Sequence, residues 1–124
     1  EILKPGTLLT DYHVQVGEFM EKELVDLGLI STKDIANQNP NWPAYKKYFM
    51  HGTSHYMGLD VHDVGSWTKP IQENTVFTIE PGIYIREEGL GIRLENDYLI
   101  STKGNKNLME NIPIEIDAIE DAMN

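Results

Sequence analysis

The chain has 124 residues, 40% of them hydrophobic, and carries ten Lys and Arg against twenty Asp and Glu, for a formal net charge of -10. This length suits one domain with a buried core, and the acidic balance argues against nucleic acid or an anionic membrane surface as partner, because both require clustered cations. The absence of cysteine excludes disulfides and thiolate metal sites and is compatible with a reducing cytoplasm, the location that we expect.

The first predicted element is a long helix over residues 11–27. Thr10 is a suitable N-cap, Asp11 suits the first turn, and Gly28 suits a left-handed C-terminal position. Residues 31–44 are rich in Asn, Pro and Ser and predict a loop with at most a short helix. The apolar residues that recur at helical spacing are Val16, Phe19, Met20, Leu24 and Leu27.

The second half of the chain predicts strands followed by a short helix. A turn ending in Gly89 separates the second β-prone segment from the third. An acidic stretch from about Glu115 to Met123 predicts a helix that packs through Ile116, Ile119 and Met123. A helix, antiparallel strands and a short C-terminal helix define the α+β class. The β-prone segments are residues 76–79, 83–85, 92–94 and 98–100.

Two glutamates come together if the hairpin turn is centred on residues 87–88. Antiparallel pairing then places Glu80 opposite Glu95, where two carboxylates repel unless something positive lies between them. Arg93 shares a face with Glu95 because strand side chains alternate, and Pro81 predicts a kink in the hairpin. A solvated outer face is the alternative, which the apolar residues around Glu80 disfavour. We therefore hypothesise a cation shared by both carboxylates.

Three of the four histidines, His51, His55 and His62, fall in one short segment interleaved with glycines. The glycines argue against a regular helix and favour a loop or tight turn that presents the imidazoles. Imidazole serves as a metal ligand and as a general acid or base near neutral pH. Together with carboxylates, and without cysteine, it suits Mn²⁺, Fe²⁺, Co²⁺ or Zn²⁺, so the chemistry indicates metal-assisted hydrolysis. His13, on the exposed side of the first helix, is assigned no role.

Three motifs occur in order along the chain. They run from His51 to Gly65, from Thr78 to Ile85 and from Gly91 to Asp97. Together they resemble the signature of the Xaa-Pro aminopeptidases (aminopeptidase P) and prolidases, over essentially the whole chain. The resemblance implies part of the pita-bread fold that this family shares with methionine aminopeptidases and creatinase. It also implies hydrolysis of the bond between a first residue and a following proline.

The resemblance further implies a dinuclear metal centre. The family holds two divalent ions, usually manganese, with two Asp, one His and two Glu. By motif position His55 is the His ligand, Glu80 and Glu95 are the Glu ligands, and Glu95 bridges the two ions. Co²⁺, Zn²⁺ or Fe²⁺ are the alternatives to Mn²⁺.

The resemblance assigns catalytic roles to three other residues. His51 and His62 flank the substrate, position it and stabilise the tetrahedral intermediate formed when hydroxide attacks the carbonyl before proline. Arg93 matches a family arginine close to the metal centre, which supports the centre and its acids. The implied substrates are proline-containing peptides.

The two Asp ligands of the family have no match in this sequence. They lie upstream of the first helix in the family, whereas Asp11 sits at a helix start and the chain opens at Glu1 without Met. We therefore expect residues 1–124 to be the C-terminal portion of a pita-bread catalytic domain, without the upstream part and the N-terminal domain. Such a fragment is expected to be inactive alone, and its exposed half-core is expected to self-associate.

Two alternatives remain open at this point. An Xaa-Pro dipeptidase (prolidase) shares the motifs, although the short spacing between Glu80 and Glu95 favours aminopeptidase P. A non-catalytic pita-bread module that binds proteins is the other alternative. The intact set of histidines and glutamates argues against such a module.

Overall fold

The computed structural model describes residues 2–124 and has the α+β architecture that the sequence predicts. The helices are α1 Leu9–Asp26, α2 Thr32–Ala36 and α3 Ile116–Met123, with short 3-10 helices at Ala44–Lys47 and Arg86–Glu88. The strands are β1 Val76–Ile79, β2 Gly82–Ile85, β3 Leu90–Arg93, β4 Asn96–Leu99 and β5 Lys106–Asn107. None of the helices within residues 2–124 combines the length and apolarity that crossing a membrane requires.

Helix α1 confirms the long predicted helix and corrects its start. The N-cap is Leu8, which has extended backbone angles and makes no side-chain capping bond, so the predicted cap Thr10 lies inside the helix. At the other end Gly28 has a φ of 72°, the left-handed conformation that glycine adopts without steric cost. The N–H of Gly28 donates to the carbonyl of Val25, which closes the last turn.

The main core lies between α1 and the strands. Tyr12, Val16 and Met20 on α1 are buried in one cluster with Phe77 of β1 and Ile100. Burial of each large apolar side chain contributes about 1.5–3 kcal/mol. The sequence predicts a wider apolar face on α1 than the one that is buried, because Phe19 and Leu27 are 60% and 63% exposed.

The strands form two antiparallel ladders in the register that the turn predicts. In one ladder β1 pairs with β4 and β4 with β5, and in the other β2 pairs with β3. Ile83 lies opposite Ile92 and Phe77 opposite Tyr98, so a single register continues through both ladders.

The two ladders are separated at Glu80 and Pro81. Pro81 has no N–H to donate across the hairpin, although its carbonyl accepts from the N–H of Leu94 at 3.3 Å. The N–H of Glu80 instead donates to the carbonyl of Thr53 at 2.7 Å. The ladder is therefore interrupted at Pro81, the position where a kink is expected, and the interruption lies beside both glutamates.

The histidine segment contains no helix or strand, which confirms its prediction as a loop, and one isolated bridge joins Tyr56 to Phe77 of β1. Residues 53–57 run antiparallel to β1 on the edge that β4 leaves open. The N–H of Thr78 donates to the carbonyl of His55 at 3.1 Å, and the N–H of His55 donates to the Thr78 hydroxyl at 3.2 Å. These bonds fix His55 beside the end of β1.

Two smaller expectations have different outcomes. Residues 31–44 contain only the five-residue helix α2, which begins with a capping box between Ser31 and Asp34, as the loop prediction allows. Helix α3 forms where predicted, but its apolar residues do not pack. Ile116, Ile119 and Met123 are 75%, 40% and 82% exposed, so this face is not buried against the rest of residues 2–124.

Candidate active site

His55 is the most constrained side chain of the site. The residue is 9% exposed, and its Nδ1 lies 2.9 Å from the backbone carbonyl of Tyr56. Because a carbonyl only accepts hydrogen bonds, Nδ1 carries a proton, and in the neutral ring Nε2 presents its lone pair. That Nε2 atom lies 3.3 Å from Oε1 of Glu80. The backbone thus orients the imidazole in the way that metal-ligating histidines are oriented.

Glu80, which follows β1, and Glu95, which precedes β4, converge on this imidazole. One ligand atom from each of His55, Glu80 and Glu95 lies within 4.8 Å of the others. The Glu80 side chain is only 15% exposed, whereas that of Glu95 is 36% exposed. The three residues that the resemblance implies as metal ligands are therefore brought together.

Arg93 lies between the two carboxylates. Its Nε is 3.8 Å from Oε2 of Glu80, and its Nη2 is 3.7 Å from Oε2 of Glu95. These ion pairs are long and the arginine is half exposed, so they stabilise the chain weakly. The hairpin register requires a positive group between the two glutamates. The guanidinium of Arg93 is one such group.

His51 is held by two hydrogen bonds. Its Nδ1 lies 2.7 Å from the carbonyl of Gly52, and its Nε2 lies 2.9 Å from the hydroxyl of Tyr84. Nδ1 therefore donates to the carbonyl, and in the neutral ring Nε2 accepts from the tyrosine. The ring also packs edge-on against Phe49 and Tyr84.

His62 contacts the site from an exposed loop. Its ring centroid lies 4.2 Å from that of His55, with the two planes inclined by 38°. In the same loop the N–H of Asp63 donates to the carbonyl of Tyr56 at 3.1 Å. A backbone hydrogen bond from Val64 lowers the pKa of Asp63 and keeps its carboxylate ionised.

These side chains line one cavity of about 420 Å³. Of the residues proposed from sequence, His51, His55, His62, Glu80 and Arg93 lie in its wall, and Glu95 adjoins it through Arg93. Sequence reasoning missed Trp67, which lines the cavity, and Tyr84, the partner of His51. The position of Trp67 shortly after the last histidine is the one local signal that could have indicated it.

His13 differs from the expectation of an exposed side chain. It is half buried, and burial lowers its pKa because the charged imidazolium loses hydration. A Cβ atom added to Gly52 would lie 3.3 Å from Cε1 of His13. His13 therefore packs behind the segment that carries the other histidines.

The donor set fits a divalent metal ion. One imidazole nitrogen with a fixed tautomer and two carboxylates are the ligand types that Mn²⁺, Fe²⁺, Co²⁺ and catalytic Zn²⁺ accept. Three protein donors leave coordination positions open, as catalytic sites require.

Two curated relatives cover nearly all of the chain. It is 38% identical over 136 aligned positions to the Xaa-Pro aminopeptidase of Haemophilus influenzae, with 100% of this chain and 31% of the relative aligned. It is 36% identical over 135 positions to the Xaa-Pro aminopeptidase of Escherichia coli K12, with 95% of this chain and 30% of the relative aligned. The chain thus spans about a third of the length of these relatives.

The fold is also that of a solved relative. Zinc-substituted E. coli aminopeptidase P in complex with product superposes with a TM-score of 0.78 at 35% sequence identity, covering 97% of this chain and 30% of that one. This agreement confirms the expected partial pita-bread fold. The model of metallopeptidase family M24 matches residues 1–102. That match and the two relatives show that the chain belongs to metallopeptidase family M24.

Proposed function

We propose that this chain forms one side of the active site of an Xaa-Pro aminopeptidase. The observation that carries the proposal is the convergence of His55, Glu80 and Glu95 within 4.8 Å. The relatives named Xaa-Pro aminopeptidase support hydrolysis of the bond between a first residue and a following proline. That bond is a tertiary amide without N–H, so the substrate class is proline-containing peptides.

In this proposal His55, Glu80 and Glu95 hold divalent metal ions, two in number and most often Mn²⁺. An ion held there would supply hydroxide near neutral pH by lowering the pKa of water, and would polarise the substrate carbonyl. The chain contributes the fixed tautomer of His55, which keeps Nε2 free to ligate. Arg93 sits against both carboxylates and limits their mutual repulsion.

His51 and His62 are proposed to bind the substrate beside the metal ligands. Both line the same cavity as His55, and the ring of His62 lies against that of His55. Tyr84 keeps the His51 ring in one orientation, which reduces the entropy lost when a peptide is positioned. An imidazole N–H at this place can stabilise the negative charge that develops on the substrate carbonyl.

The proposed enzyme is longer than this chain. Three protein donors fill fewer than half of the coordination positions of two ions that each take at least four ligands, and the relatives are about three times as long. We therefore infer that residues 1–124 are the C-terminal portion of a catalytic domain and are inactive alone. Self-association of the isolated chain is part of the same proposal, supported by the exposure of Leu90, Ile92 and Leu94 on one face of the hairpin. Manganese and a cytoplasmic location stay predictions.

Metal binding tests the proposal directly. Mn²⁺ is titrated into the chain and into Glu80→Gln and Glu95→Gln, and affinity is measured by calorimetry. Loss of either ligand should weaken binding by more than about tenfold. Glu18→Gln removes an exposed carboxylate of α1 and serves as the matched control.

Two results would count against the proposal. If Glu18→Gln weakens binding as much as Glu80→Gln, the ion binds the acidic surface rather than the site. Cleavage of Xaa-Pro peptides is then assayed with the isolated chain and with the whole protein. Efficient turnover by the isolated chain would show that it needs no further ligands.

A further inference from the structure

Trp67 differs in chemistry from the other residues that line the cavity. The other residues that line it are histidines, small residues and charged side chains, whereas Trp67 is a large aromatic that is 51% exposed. Trp67 therefore places an accessible apolar face beside the metal-ligand candidates. An apolar surface among polar groups is how binding pockets give specificity to an apolar part of a ligand.

The loop that carries Trp67 is anchored rather than free. The hydroxyl of Tyr56 donates to the carbonyl of Ser66 at 2.9 Å. Gly65 lies so close to the Tyr56 ring that an added Cβ would be 2.1 Å from it. The indole of Trp67 meets the same ring edge-on, with centroids 6.3 Å apart. Tyr56 in turn packs on Phe77 at 4.4 Å.

This anchoring couples Trp67 to the site. Tyr56 is the neighbour of His55, and its carbonyl accepts the proton on Nδ1 of that histidine. One residue therefore fixes both the ligand imidazole and the loop of the indole. The indole is held in the wall of the cavity in which His51 and His62 lie.

We propose that Trp67 is a specificity-determining residue whose exposed face receives the prolyl ring of the substrate. This inference rests on the proposed function. A prolyl ring is a compact apolar group with no N–H to satisfy, so it gains from an aromatic face. A non-prolyl residue carries an amide N–H, which would be left without a partner against the indole.

The first test is kinetic and uses the whole enzyme with Ala-Pro-Ala as substrate. Trp67→Ala should raise KM by about tenfold with little change in kcat, the size of effect that one apolar contact gives. Trp67→Phe keeps an aromatic face and should retain most of the affinity. Trp42→Ala removes the other tryptophan, in a separate pocket, and should leave KM unchanged.

The second test needs no turnover. In the 124-residue chain carrying Trp42→Phe, Trp67 is the sole tryptophan, so its fluorescence reports the cavity. The dipeptide Pro-Ala, the product that cleavage of Ala-Pro-Ala releases, should shift this emission, whereas Ala-Ala at equal concentration should not. Circular dichroism and Mn²⁺ affinity of Trp67→Ala should match the wild type, which shows that the fold and the ligands are intact.

The two proposals fail in different ways. An unchanged KM in Trp67→Ala, or equal responses to Pro-Ala and Ala-Ala, would overturn the role of Trp67 while Xaa-Pro cleavage by the wild type stands. Absence of both cleavage and Mn²⁺ binding in the wild type would overturn the proposed function and the role of Trp67 with it.

Discussion

The hydroxyl of Tyr84 lies 2.9 Å from Nε2 of His51 and fixes the imidazole from one side while the Gly52 carbonyl fixes Nδ1 from the other. Both nitrogens are engaged, so the ring has one orientation. This hydrogen bond joins strand β2, which carries Tyr84, to the histidine segment, which carries His51. This relationship makes the position of His51 depend on a residue outside the histidine motif.

Replacing Tyr84 by Phe should loosen His51 without unfolding the chain. The change removes one hydrogen bond, which costs about 1 kcal/mol, and it keeps the ring that packs against His51. We expect the whole enzyme to lose about tenfold in kcat/KM, equivalent to about 1.4 kcal/mol, with Mn²⁺ affinity retained. Steady-state kinetics and calorimetry check both parts. An equal loss of metal affinity would contradict this account.

Gly82→Ala should produce a similar loss by a different route. A Cβ atom there would lie 2.9 Å from the Tyr84 hydroxyl oxygen and 3.1 Å from Nε2 of His51. The end of the tyrosine ring must move, which breaks the bond to His51. Urea unfolding should show a small change in stability, while the ring protons of His51 shift in the NMR spectrum. Unchanged His51 resonances would argue against the effect.

Arg93→Gln should increase the stabilisation that the chain gains from bound Mn²⁺. The guanidinium lies near the Glu80 and Glu95 carboxylates, and its removal leaves two like charges facing each other. Since the ion pairs are half exposed, metal-free stability should fall by less than about 1 kcal/mol. Mn²⁺ should then raise the melting temperature more in Arg93→Gln than in the wild type. A smaller rise in the variant would show that Arg93 assists metal binding.

Gly65→Ala should displace the loop that carries Trp67. The new methyl group would fall within 2.4 Å of three atoms of the Tyr56 ring, which is itself packed on Phe77. Relieving such an overlap costs about 1–3 kcal/mol, measurable by urea unfolding. Ser66→Ala is the matched control, because Ser66 contributes its backbone carbonyl to this contact. A stability equal to the wild type would mean that the loop adjusts freely.

His13 should make stability depend on pH near neutrality. Burial lowers its pKa below the ordinary value of about 6.5. Between the two values the unfolded chain takes up a proton that the folded chain does not. This contribution to stability is therefore complete above about pH 6.5 and is lost as pH falls through the lowered pKa. The unfolding free energy of His13→Gln should fall less than that of the wild type between pH 7.5 and 5.5. Parallel curves would exclude the effect.

The strand register could be predicted because it depends on local signals. The Gly-ended turn and the β-prone segments flanking it set the pairing of Ile83 with Ile92. The same register brings Glu80 and Glu95 together, so the carboxylate pair follows from sequence alone. Their identification as family ligands rests on the motifs.

The remaining features depend on contacts between distant residues. The glycines around His55 predict the loop that the structure has, but they do not show that this loop bonds to the open edge of β1. Tyr84 and His51 are 33 positions apart, and nothing in their local sequences links them. The apolar face of α3 predicts packing, yet a face packs only where another element is present to receive it.

The gap between the two ladders has a consequence for dynamics. Around Pro81 and Leu94 the described residues are joined by one backbone hydrogen bond of 3.3 Å, so this stretch of the hairpin should open more readily than the ladders on either side. Glu80 and Glu95 project from that stretch. An ion bound by both carboxylates would hold the two sides of this stretch together. Amide hydrogen exchange at Leu94 should therefore slow when metal is added. Protection of this amide would thus follow occupancy of the site.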